Sequence, residues 1–279
     1  MNIPKYIEEY RKDLLLKNYA KNSIDNYVSQ VYCFLKRYDK VYTEPSKINE
    51  KSIKEWLLET NSINSRKHRI SAVKLFYVYT VKQPLKFKHI EYPRGEKKLP
   101  IVLSVEGVQK MFDVCDNLKH KVILSLLYSC GLRVSELINL KWQHIDRSRM
   151  VINILGAKGN KDRQVMLSHS LIPLLELYYK EYKSKEYILN GQFDLQYSSR
   201  SVLEVMKQLG QKAGLNKRVY THLMRHNAFT HMVESGVDVH LIQKIAGHSN
   251  IKTTMIYTHI SHNLISKINS PLNNICLKL

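Results

Sequence analysis

Four short segments hold side chains that together can bind a phosphate group, and the first is GLRVSEL at residues 131–137. Arg133 and Glu136 stand three positions apart, so on a helix they share a face and can pair. A carboxylate that holds a guanidinium in place preorganises it for a phosphate. A surface arginine at a helix end is the simpler interpretation of this segment taken alone.

The second segment is the basic turn GAKGNKD at residues 156–162. Gly156 and Gly159 allow the backbone to approach a ligand closely, and Lys158 and Lys161 can then contact phosphate. The turn lacks a Lys-Ser/Thr ending and no helix follows it, so it is not a P-loop. By itself it is better explained as a hairpin with solvent-facing lysines.

The third segment, HLMRH at residues 222–226, places His222 and Arg225 one helical turn apart, where they can reach the same anion. His222 and His226 also have the four-residue spacing of zinc ligands. The zinc alternative lacks the glutamate of an HExxH motif and a nearby third ligand, so the sequence predicts no metal site. Helix packing or solvent exposure is the simpler interpretation of His226.

The fourth segment, GHSNIKTTMIY at residues 247–257, opens a polar turn at His248 and reaches Tyr257 nine positions later. Thr253 and Thr254 lie between them and can begin a short helix. Taken alone, Tyr257 is one of 18 tyrosines in the chain, and we expect its ring to be half-buried.

The elements that must position these residues fall into two parts of the 279-residue chain. Apolar residues recur at helical spacing over residues 1–82 and predict a small helical bundle, with Ser23 as the N-cap of its second helix. The prolines and charges of residues 83–100 predict a linker. Residues 101–279 predict a second domain that is mainly α-helical with a small β-sheet.

Within the second domain, Ser104 is the predicted N-cap of the first helix, and Gly131 is the predicted left-handed end of a strongly apolar one. Residues 149–167 predict two short strands around the basic turn. Further helices are predicted over residues 170–182, 199–213, 223–234 and 239–246.

The charge of the chain is strongly unbalanced, with 44 Lys and Arg residues against 24 Asp and Glu and a formal net charge of +20. This surplus favours a polyanionic partner, which can be DNA, RNA or an anionic membrane surface. A lysine-rich composition that follows from an AT-rich genome is the alternative. Apolar residues make up 44% of the chain, which excludes a disordered protein.

The four cysteines lie far apart and form no CxxC pair, so we expect neither a zinc knuckle nor a disulfide framework. Residues 1–16 are polar and charged and do not form a secretory signal. The longest apolar run, residues 122–128, is too short to cross a bilayer. We therefore expect a cytoplasmic protein with no membrane partner.

In their order and context, the arginine, lysine, His-x-x-Arg, histidine and tyrosine of these segments resemble the tyrosine recombinase (phage integrase) family, in particular its Xer-like and integron-integrase-like members. The resemblance is strongest over residues 131–260. It implies an N-terminal helical core-binding (SAM-like) domain and an α/β catalytic domain of the DNA breaking-rejoining type. The sequence departs from the family at Asn227, Ala228 and Phe229, because a small hydroxyl residue and then an aromatic usually follow the Arg-His pair.

The resemblance also implies a role for each matching residue. Arg133 and Arg225 would clamp the scissile phosphate, and Tyr257 would attack it to form a 3′-phosphotyrosyl intermediate. That ester conserves the energy of the broken strand, so rejoining needs no ATP. Lys158 would protonate the 5′-hydroxyl leaving group.

By the same resemblance, His222 and His248 would position the phosphate and assist proton transfer, and Glu136 would support the arginines. Such a site uses neither a metal ion nor another cofactor. Exchange between two DNA sites with two cuts each implies double-stranded DNA and a tetramer on DNA as partners. The segment after His259 would contact a neighbouring protomer.

Two other functions are compatible with these residues. One is a non-enzymatic DNA-binding regulator on the same scaffold, although the complete set of six site residues argues against lost activity. The other is a type IB topoisomerase-like relaxase, which uses the same tyrosine chemistry without exchange between two sites. A metal-dependent nuclease is disfavoured because the sequence shows no carboxylate cluster.

Overall fold

The computed structural model describes residues 1–95, 101–156, 162–191 and 196–260. The chain divides into two compact units, Met1–Lys97 and Lys98–Leu279, which we call the N-terminal unit and the C-terminal unit. Each unit has its own core of buried apolar residues. The fold class is as predicted, since the described residues form helices and one small three-stranded sheet.

The described part of the N-terminal unit contains the helices α1 (Ile3–Leu16), α2 (Lys21–Tyr38), α3 (Glu50–Leu58) and α4 (Ile63–Tyr79). Three of them begin with a side-chain cap. In such a cap, an oxygen of the N-cap side chain accepts a hydrogen bond from an N–H of the first turn that has no partner within the helix. The capping residues are Asn2 for α1, Asn49 for α3 and Ser62 for α4.

The prediction of Ser23 as the N-cap of α2 is wrong. The helix begins at Lys21, after Ala20, and the N–H of Ser23 donates to the Ala20 carbonyl at 2.8 Å, within the first turn. The left-handed backbone of Asn18 (φ 56°) turns the chain just before this point, so the helix starts earlier than the serine suggests.

The core of the N-terminal unit is rich in aromatic rings. Phe34 packs edge-on against Trp56 with 5.1 Å between ring centroids, and Tyr10 packs against Phe76 at 5.4 Å. Such edge-to-face pairs are favourable beyond the area that they bury. The buried hydroxyl of Tyr10 donates to the Ala72 carbonyl at 2.8 Å, so it is not left without a partner.

The first part of the segment predicted as a linker packs on this core. Pro84–Phe87 form a short 3-10 helix, and the side chains of Phe87 and Ile90 are buried among the helices. Two inward side chains are too few to show a helical or strand period, so the sequence pattern did not reveal this packing. Residues 96–100 of the segment lie outside the described residues.

The described part of the C-terminal unit contains eight helices: α5 (Val105–Asp113), α6 (Leu118–Cys130), α7 (Val134–Ile138), α8 (Leu171–Tyr182), α9 (Ser199–Lys212), α10 (Thr221–Glu234), α11 (Val239–Ala246) and α12 (Ile251–Ile260). The four helices predicted after residue 169 are confirmed to within two residues at each end. Within the described ranges of the whole chain, none of the helices has the length and apolar character needed to cross a membrane.

A small antiparallel sheet has the strand order β1 (Ile145–Asp146), β2 (Val151–Ile154) and β3 (Arg163–Met166). Strands β2 and β3 confirm the two strands predicted around the basic turn, and they pair Val151 with Met166 and Ile154 with Arg163. The turn itself, residues 157–161, lies outside the described residues. Strand β1 was not predicted because two residues are too few to show an alternating pattern.

Helices α6 and α10 lie at the centre of the C-terminal unit. Helix α6 ends at Gly131 in the left-handed conformation (φ 58°), as predicted. The predicted cap of α5 is also confirmed, since the Ser104 hydroxyl accepts the N–H of Gly107 at 3.2 Å. Helix α10 packs against α6, α9, α11 and α12. Because most of its surface is buried, its polar side chains must find partners inside the unit.

Candidate active site

Arg225 on α10 is buried, with 1% of its surface exposed. Its guanidinium donates to two main-chain carbonyls at helix ends, from Nη1 to Gly131 at 2.5 Å and from Nη2 to Ala246. Carbonyls at helix C-termini carry partial negative charge and are suited to hold a cation. Burial, and then the nearby charge of Arg133, lowers the pKa of Arg225 to about 10, so the side chain stays charged at neutral pH.

Arg133 occupies the N-cap position of α7 and pairs with Glu136, as predicted. The Glu136 carboxylate accepts the main-chain N–H of Arg133 at 2.8 Å and its Nη1 at 2.7 Å. Nη2 of Arg133 donates to the carbonyl of Ala246 at 3.3 Å, which also accepts from Arg225. The two guanidiniums are therefore held on one carbonyl oxygen.

Arg163, the first residue of β3, was not among the predicted site residues. Its guanidinium forms a bidentate ion pair with Glu136, from Nη1 to Oε1 and from Nη2 to Oε2, both at 2.7 Å. Burial raises the pKa of Glu136, but the hydrogen bonds from Arg163 and Arg133 outweigh burial and lower the pKa to about 2. The signal in the sequence was an arginine that opens an apolar strand directly after the basic turn.

His248 follows Gly247, whose left-handed backbone (φ 63°) ends α11. Its Nε2 lies 3.4 Å from Nη2 of Arg225, and its Nδ1 lies 3.0 Å from the Thr254 hydroxyl. A guanidinium can only donate, so we assign Nε2 as the acceptor and Nδ1 as the protonated nitrogen. Burial, and then the charges of Arg225 and Arg133, lowers the pKa of His248 to about 4, which leaves the ring neutral at pH 7.

His222 and His226 lie one turn apart on α10, with ring centroids separated by 4.6 Å. Partial burial, and then the charges of Arg225 and Arg133, lowers the pKa of His222. Burial, and then His222, lowers the pKa of His226 to about 4. Within the described residues no three His, Cys, Asp or Glu side chains could together hold a metal ion, so the zinc alternative gains no support.

Tyr257 on α12 has 2% of its surface exposed and is thus more deeply buried than we expected. Its ring lies nearly parallel to that of His248, with 6.2 Å between centroids and 20° between planes. The rings of Phe229 and His226 lie 5.5 Å and 5.7 Å away. Burial raises the pKa of Tyr257, and the two nearby guanidiniums oppose that rise. The phenol is therefore neutral at pH 7 but lies in a positive field that favours its anion.

Comparison with known proteins identifies the family. The profile of the phage integrase family matches residues 102–263, and the profile of the phage integrase N-terminal SAM-like domain matches residues 6–87. The chain belongs to the phage integrase family of tyrosine recombinases.

Among the relatives of this recombinase is Tyrosine recombinase XerA from Pyrococcus horikoshii, which is 34% identical over 261 residues, covering 91% of this chain and 89% of the relative. The fold matches XerH site-specific recombinase in its post-cleavage complex with a palindromic difH substrate (TM-score 0.73, 22% identity, 90% of this chain and 80% of that one). It also matches a lambda integrase tetramer bound to a Holliday junction (TM-score 0.75, 16% identity, 91% and 76%). The chain is thus an Xer-like member of a family of DNA strand-cleaving and rejoining enzymes.

Two of the residues at which this recombinase departs from its family, Asn227 and Phe229, have packing roles. The side chain of Asn227 is buried and accepts the main-chain N–H of Leu103 at 3.0 Å. The Phe229 ring lies 4.8 Å from the guanidinium carbon of Arg225. A Cβ on Gly131 would come within 2.5 Å of this ring, so the glycine is needed for space as well as for its left-handed backbone.

The structure brings most of the predicted site residues together. Hydrogen bonds connect Arg133, Glu136, Arg225 and His248, while ring contacts add Tyr257 and, through His226, His222. Lys158 and residues 261–279 lie outside the described residues. The place of Lys158 in the site and the protomer contact expected of the segment after His259 therefore stay predictions. We call Arg133, Glu136, Arg163 and Arg225 the arginine cluster.

Proposed function

We propose that this recombinase cuts a DNA strand at a specific site, holds the 3′ end on Tyr257 as a phosphotyrosyl ester, and joins that end to another strand. The observation that carries the proposal is a buried tyrosine whose ring lies parallel to that of His248, which contacts Arg225, while Arg225 and Arg133 share the carbonyl of Ala246. A phosphodiester repels nucleophiles, and its transition state gathers negative charge on the non-bridging oxygens. Two fixed guanidiniums can stabilise that charge.

Both guanidiniums keep donors for a phosphate. A guanidinium has five N–H groups. Within the described residues, side-chain donation from Arg133 goes to Glu136 and Ala246, and that from Arg225 goes to two carbonyls and His248. These bonds fix the plane of each guanidinium. The remaining N–H groups can donate hydrogen bonds to phosphate oxygens.

The proposed cleavage step balances in bonds and protons. The Oη of Tyr257 forms a bond to phosphorus, and the bond from phosphorus to the 5′ oxygen breaks. The phenol proton passes to a base, and the 5′ oxygen takes a proton from an acid, for which we propose Lys158. We propose that His222 and His248 position the phosphate and assist proton transfer, because a neutral His248 can accept a proton.

Strand exchange requires several copies of the chain on DNA. Attack of a 5′ hydroxyl on the phosphotyrosyl ester reverses the cleavage step and needs no ATP. Two duplexes with two cuts each require four protomers, and lambda integrase has been solved as a tetramer on a Holliday junction. The net charge of +20 supports phosphate contacts that weaken as salt rises. We propose that the protein acts on DNA in the cytoplasm.

Trapping of the covalent intermediate in cells tests this proposal and reveals the target. Tagged wild type, Tyr257→Phe and Tyr220→Phe are expressed, the cells are lysed in denaturant, and DNA that stays attached is sequenced. Tyr220 is a matched control because it is an exposed tyrosine of the same unit. We expect one recurrent site with wild type and Tyr220→Phe, and no adduct with Tyr257→Phe.

Two results would contradict the proposal. Adducts with Tyr257→Phe would mean that another residue attacks the DNA. No adduct from any of the three proteins, even on nicked duplexes that cannot religate, would favour a protein that binds DNA without cutting it.

A further inference from the structure

The carboxylate of Glu136 serves two arginines at once. It accepts the main-chain N–H and Nη1 of Arg133, and it also accepts Nη1 and Nη2 of Arg163, all at distances of 2.7 to 2.8 Å. The contacts with Arg163 have the two parallel N–H···O bonds of the strongest arginine–carboxylate geometry. Arg163 is therefore the principal partner of Glu136, while Arg133 holds the carboxylate by one side-chain bond.

Arg163 is directed into the protein. Its side chain is only 6% exposed, and its Nε donates to the carbonyl of Ile245 at 2.7 Å. The next carbonyl along α11, that of Ala246, accepts from both Arg133 and Arg225. Arg163 thus anchors the same helix end that holds Arg133 and Arg225. Its own three nitrogens already donate to Ile245 and Glu136, so we expect it to make no direct contact with a bound phosphate.

Gly247 shows how closely Arg163 fits against this helix end. The glycine has a left-handed backbone (φ 63°), and a Cβ there would lie 3.0 Å from Cδ of Arg163. A side chain at this position would be strained and would press on the arginine. The end of α11 and the Arg163 side chain are therefore packed as one unit.

The charges within the arginine cluster give Arg163 a second effect. Arg133 and Glu136 alone form a neutral pair, so the carboxylate offsets the charge that Arg133 would offer to a phosphate. Arg163 adds one positive charge and turns the Arg133–Glu136–Arg163 group into a net cation. Inside a protein such a charge acts strongly, because little water screens it.

We propose that Arg163 is a positioning residue for strand cleavage. It pairs with the Glu136 carboxylate and anchors the end of α11, which holds Arg133 in place. Its charge also offsets that of Glu136, so the positive charge of Arg133 remains available to the scissile phosphate. This inference rests on the proposed function. The alternative is a buried ion pair that serves only folding, and buried ion pairs often contribute little net stability. The two roles differ in how cleavage responds to the charge of the phosphate.

The test compares cleavage of nicked duplexes that contain the trapped site. One duplex has a normal scissile phosphodiester, and the other has a methylphosphonate, in which a methyl group replaces one charged oxygen. The variants are Arg163→Gln, which removes the charge, and Arg163→Lys, which keeps the charge without the bidentate pairing. Arg147→Gln is the matched control, because Arg147 forms an exposed pair with Glu176 at 2.6 Å in the same unit.

On the phosphodiester we expect Arg163→Gln to slow adduct formation about 100-fold and Arg163→Lys about 10-fold, with Arg147→Gln unchanged. The Kd for the duplex should change by less than about 3-fold in all three, because the nitrogens of Arg163 already donate to groups inside the protein and Arg147 is paired with Glu176. On the methylphosphonate the loss for Arg163→Gln should shrink to about 3-fold, because a neutral linkage has less charge to stabilise.

A double variant separates electrostatics from packing. In Glu136→Gln/Arg163→Gln the carboxylate charge that offsets Arg133 is gone, so we expect cleavage about 10-fold faster than in Arg163→Gln alone. A purely structural ion pair predicts instead that the single and double variants cleave equally fast once each rate is divided by the folded fraction. Thermal unfolding of each variant shows whether its loss of cleavage rate follows its loss of folded protein. If Arg163→Gln does not fold, the two substrates are compared with Arg163→Lys instead.

The inference is overturned if Arg163→Gln cleaves the phosphodiester at the wild-type rate, or if it loses the same factor on both substrates. It is also overturned if Arg163→Lys and Arg163→Gln both fail to fold, since Arg163 would then be needed for the fold itself. A wild-type protein without a Tyr257-dependent adduct would instead overturn the proposed function, so the two failures can be told apart.

Discussion

The N-terminal and C-terminal units differ in what they bury. The C-terminal unit buries the charged side chains of Glu136, Arg163 and Arg225. The N-terminal unit buries aromatic rings, and their hydroxyls donate to main-chain carbonyls, as Tyr77 does to Pro45 at 2.8 Å. An uncharged core is the less costly way to stabilise a domain, so the charges inside the C-terminal unit indicate an interior arranged for chemistry.

The C-terminal unit lowers the free-energy cost of burying its arginines by placing them against the carbonyls at helix ends. The carbonyls of Gly131, Ile245 and Ala246 all accept from arginines of the cluster. Helix-end carbonyls lack partners within their helix, so the arginines satisfy groups that would otherwise need water. Substitutions in the N-terminal core should therefore reduce mainly stability, whereas substitutions in the arginine cluster should reduce mainly activity.

The largest contrast is expected at Arg225. Arg225→Ala removes a buried cation from the proposed phosphate site and should slow covalent adduct formation about 1,000-fold or more. The rate is measured with saturating protein on a nicked duplex, with Arg147→Ala as the exposed control. Cleavage within tenfold of wild type would show that the buried guanidinium is structural.

Two glycines with the same left-handed backbone should behave differently. Gly131 (φ 58°) lies against Phe229, whereas Gly214 (φ 63°) has no neighbouring atom within 4 Å of the point that a Cβ would occupy. Gly131→Ala should lower the free energy of unfolding by about 3 kcal/mol and slow cleavage, because the Phe229 ring would be displaced beneath Arg225 and Tyr257. Gly214→Ala should cost about 1 kcal/mol and leave cleavage unchanged. Urea unfolding measures the free energy of unfolding, and the nicked-duplex assay measures the cleavage rate. Equal losses in Gly131→Ala and Gly214→Ala would show that contact with Phe229 is not what makes Gly131 necessary.

Acid should destabilise the C-terminal unit through its histidines. The pKa of His226 and of His248 is about 4 in the folded protein, against 6.5 for an unperturbed histidine. Between these values the unfolded chain binds more protons than the folded one, so stability is lost as pH falls from 6.5 towards 4. Full linkage would give almost 2 kcal/mol for each histidine between pH 7 and pH 5, and solvent screening of these partly exposed rings should reduce that value by about half. We therefore expect urea unfolding to show a loss of about 2 kcal/mol in wild type and about 1 kcal/mol in His248→Gln. The same loss in wild type and variant would rule out His248 as a source.

The smallest effect is expected in the N-terminal core. Tyr77→Phe removes the hydroxyl that donates to the Pro45 carbonyl and should lower the free energy of unfolding by about 1 kcal/mol. Cleavage at saturating protein should be unchanged, because the ring remains in place. A tenfold slower cleavage step would show that the two units are not as distinct as their cores indicate.

Local signals predicted much of the fold. Ser104 and Gly131 marked helix ends correctly because capping depends on the residue at one position. The N-cap of α2 was wrongly predicted at Ser23 because the chain turns earlier, at Asn18, and because serine is also tolerated within the first turn of a helix. Phe87 was missed since an isolated apolar side chain has no period, so its burial depends on tertiary packing.

The candidate site was predictable to the extent that its residues carry recognisable side chains in a fixed order. Arg133, Arg225 and His248 come together as that order implied, although their roles remain proposals. The carbonyl of Ala246 was unpredictable, because any residue type supplies a main-chain oxygen. Arg163 was missed for a related reason: its significance lies in its ion pair with Glu136, across 27 positions of sequence, and no local pattern reports such a pairing.

The most direct test of the central claim locates the DNA on the protein. Adduct formed on a nicked duplex is digested with nuclease and trypsin, and the modified peptide is analysed by mass spectrometry. We expect a nucleotide joined through its 3′ phosphate to Tyr257, within the tryptic peptide of residues 253–267. A nucleotide on any other residue, or one joined through its 5′ phosphate, would contradict it.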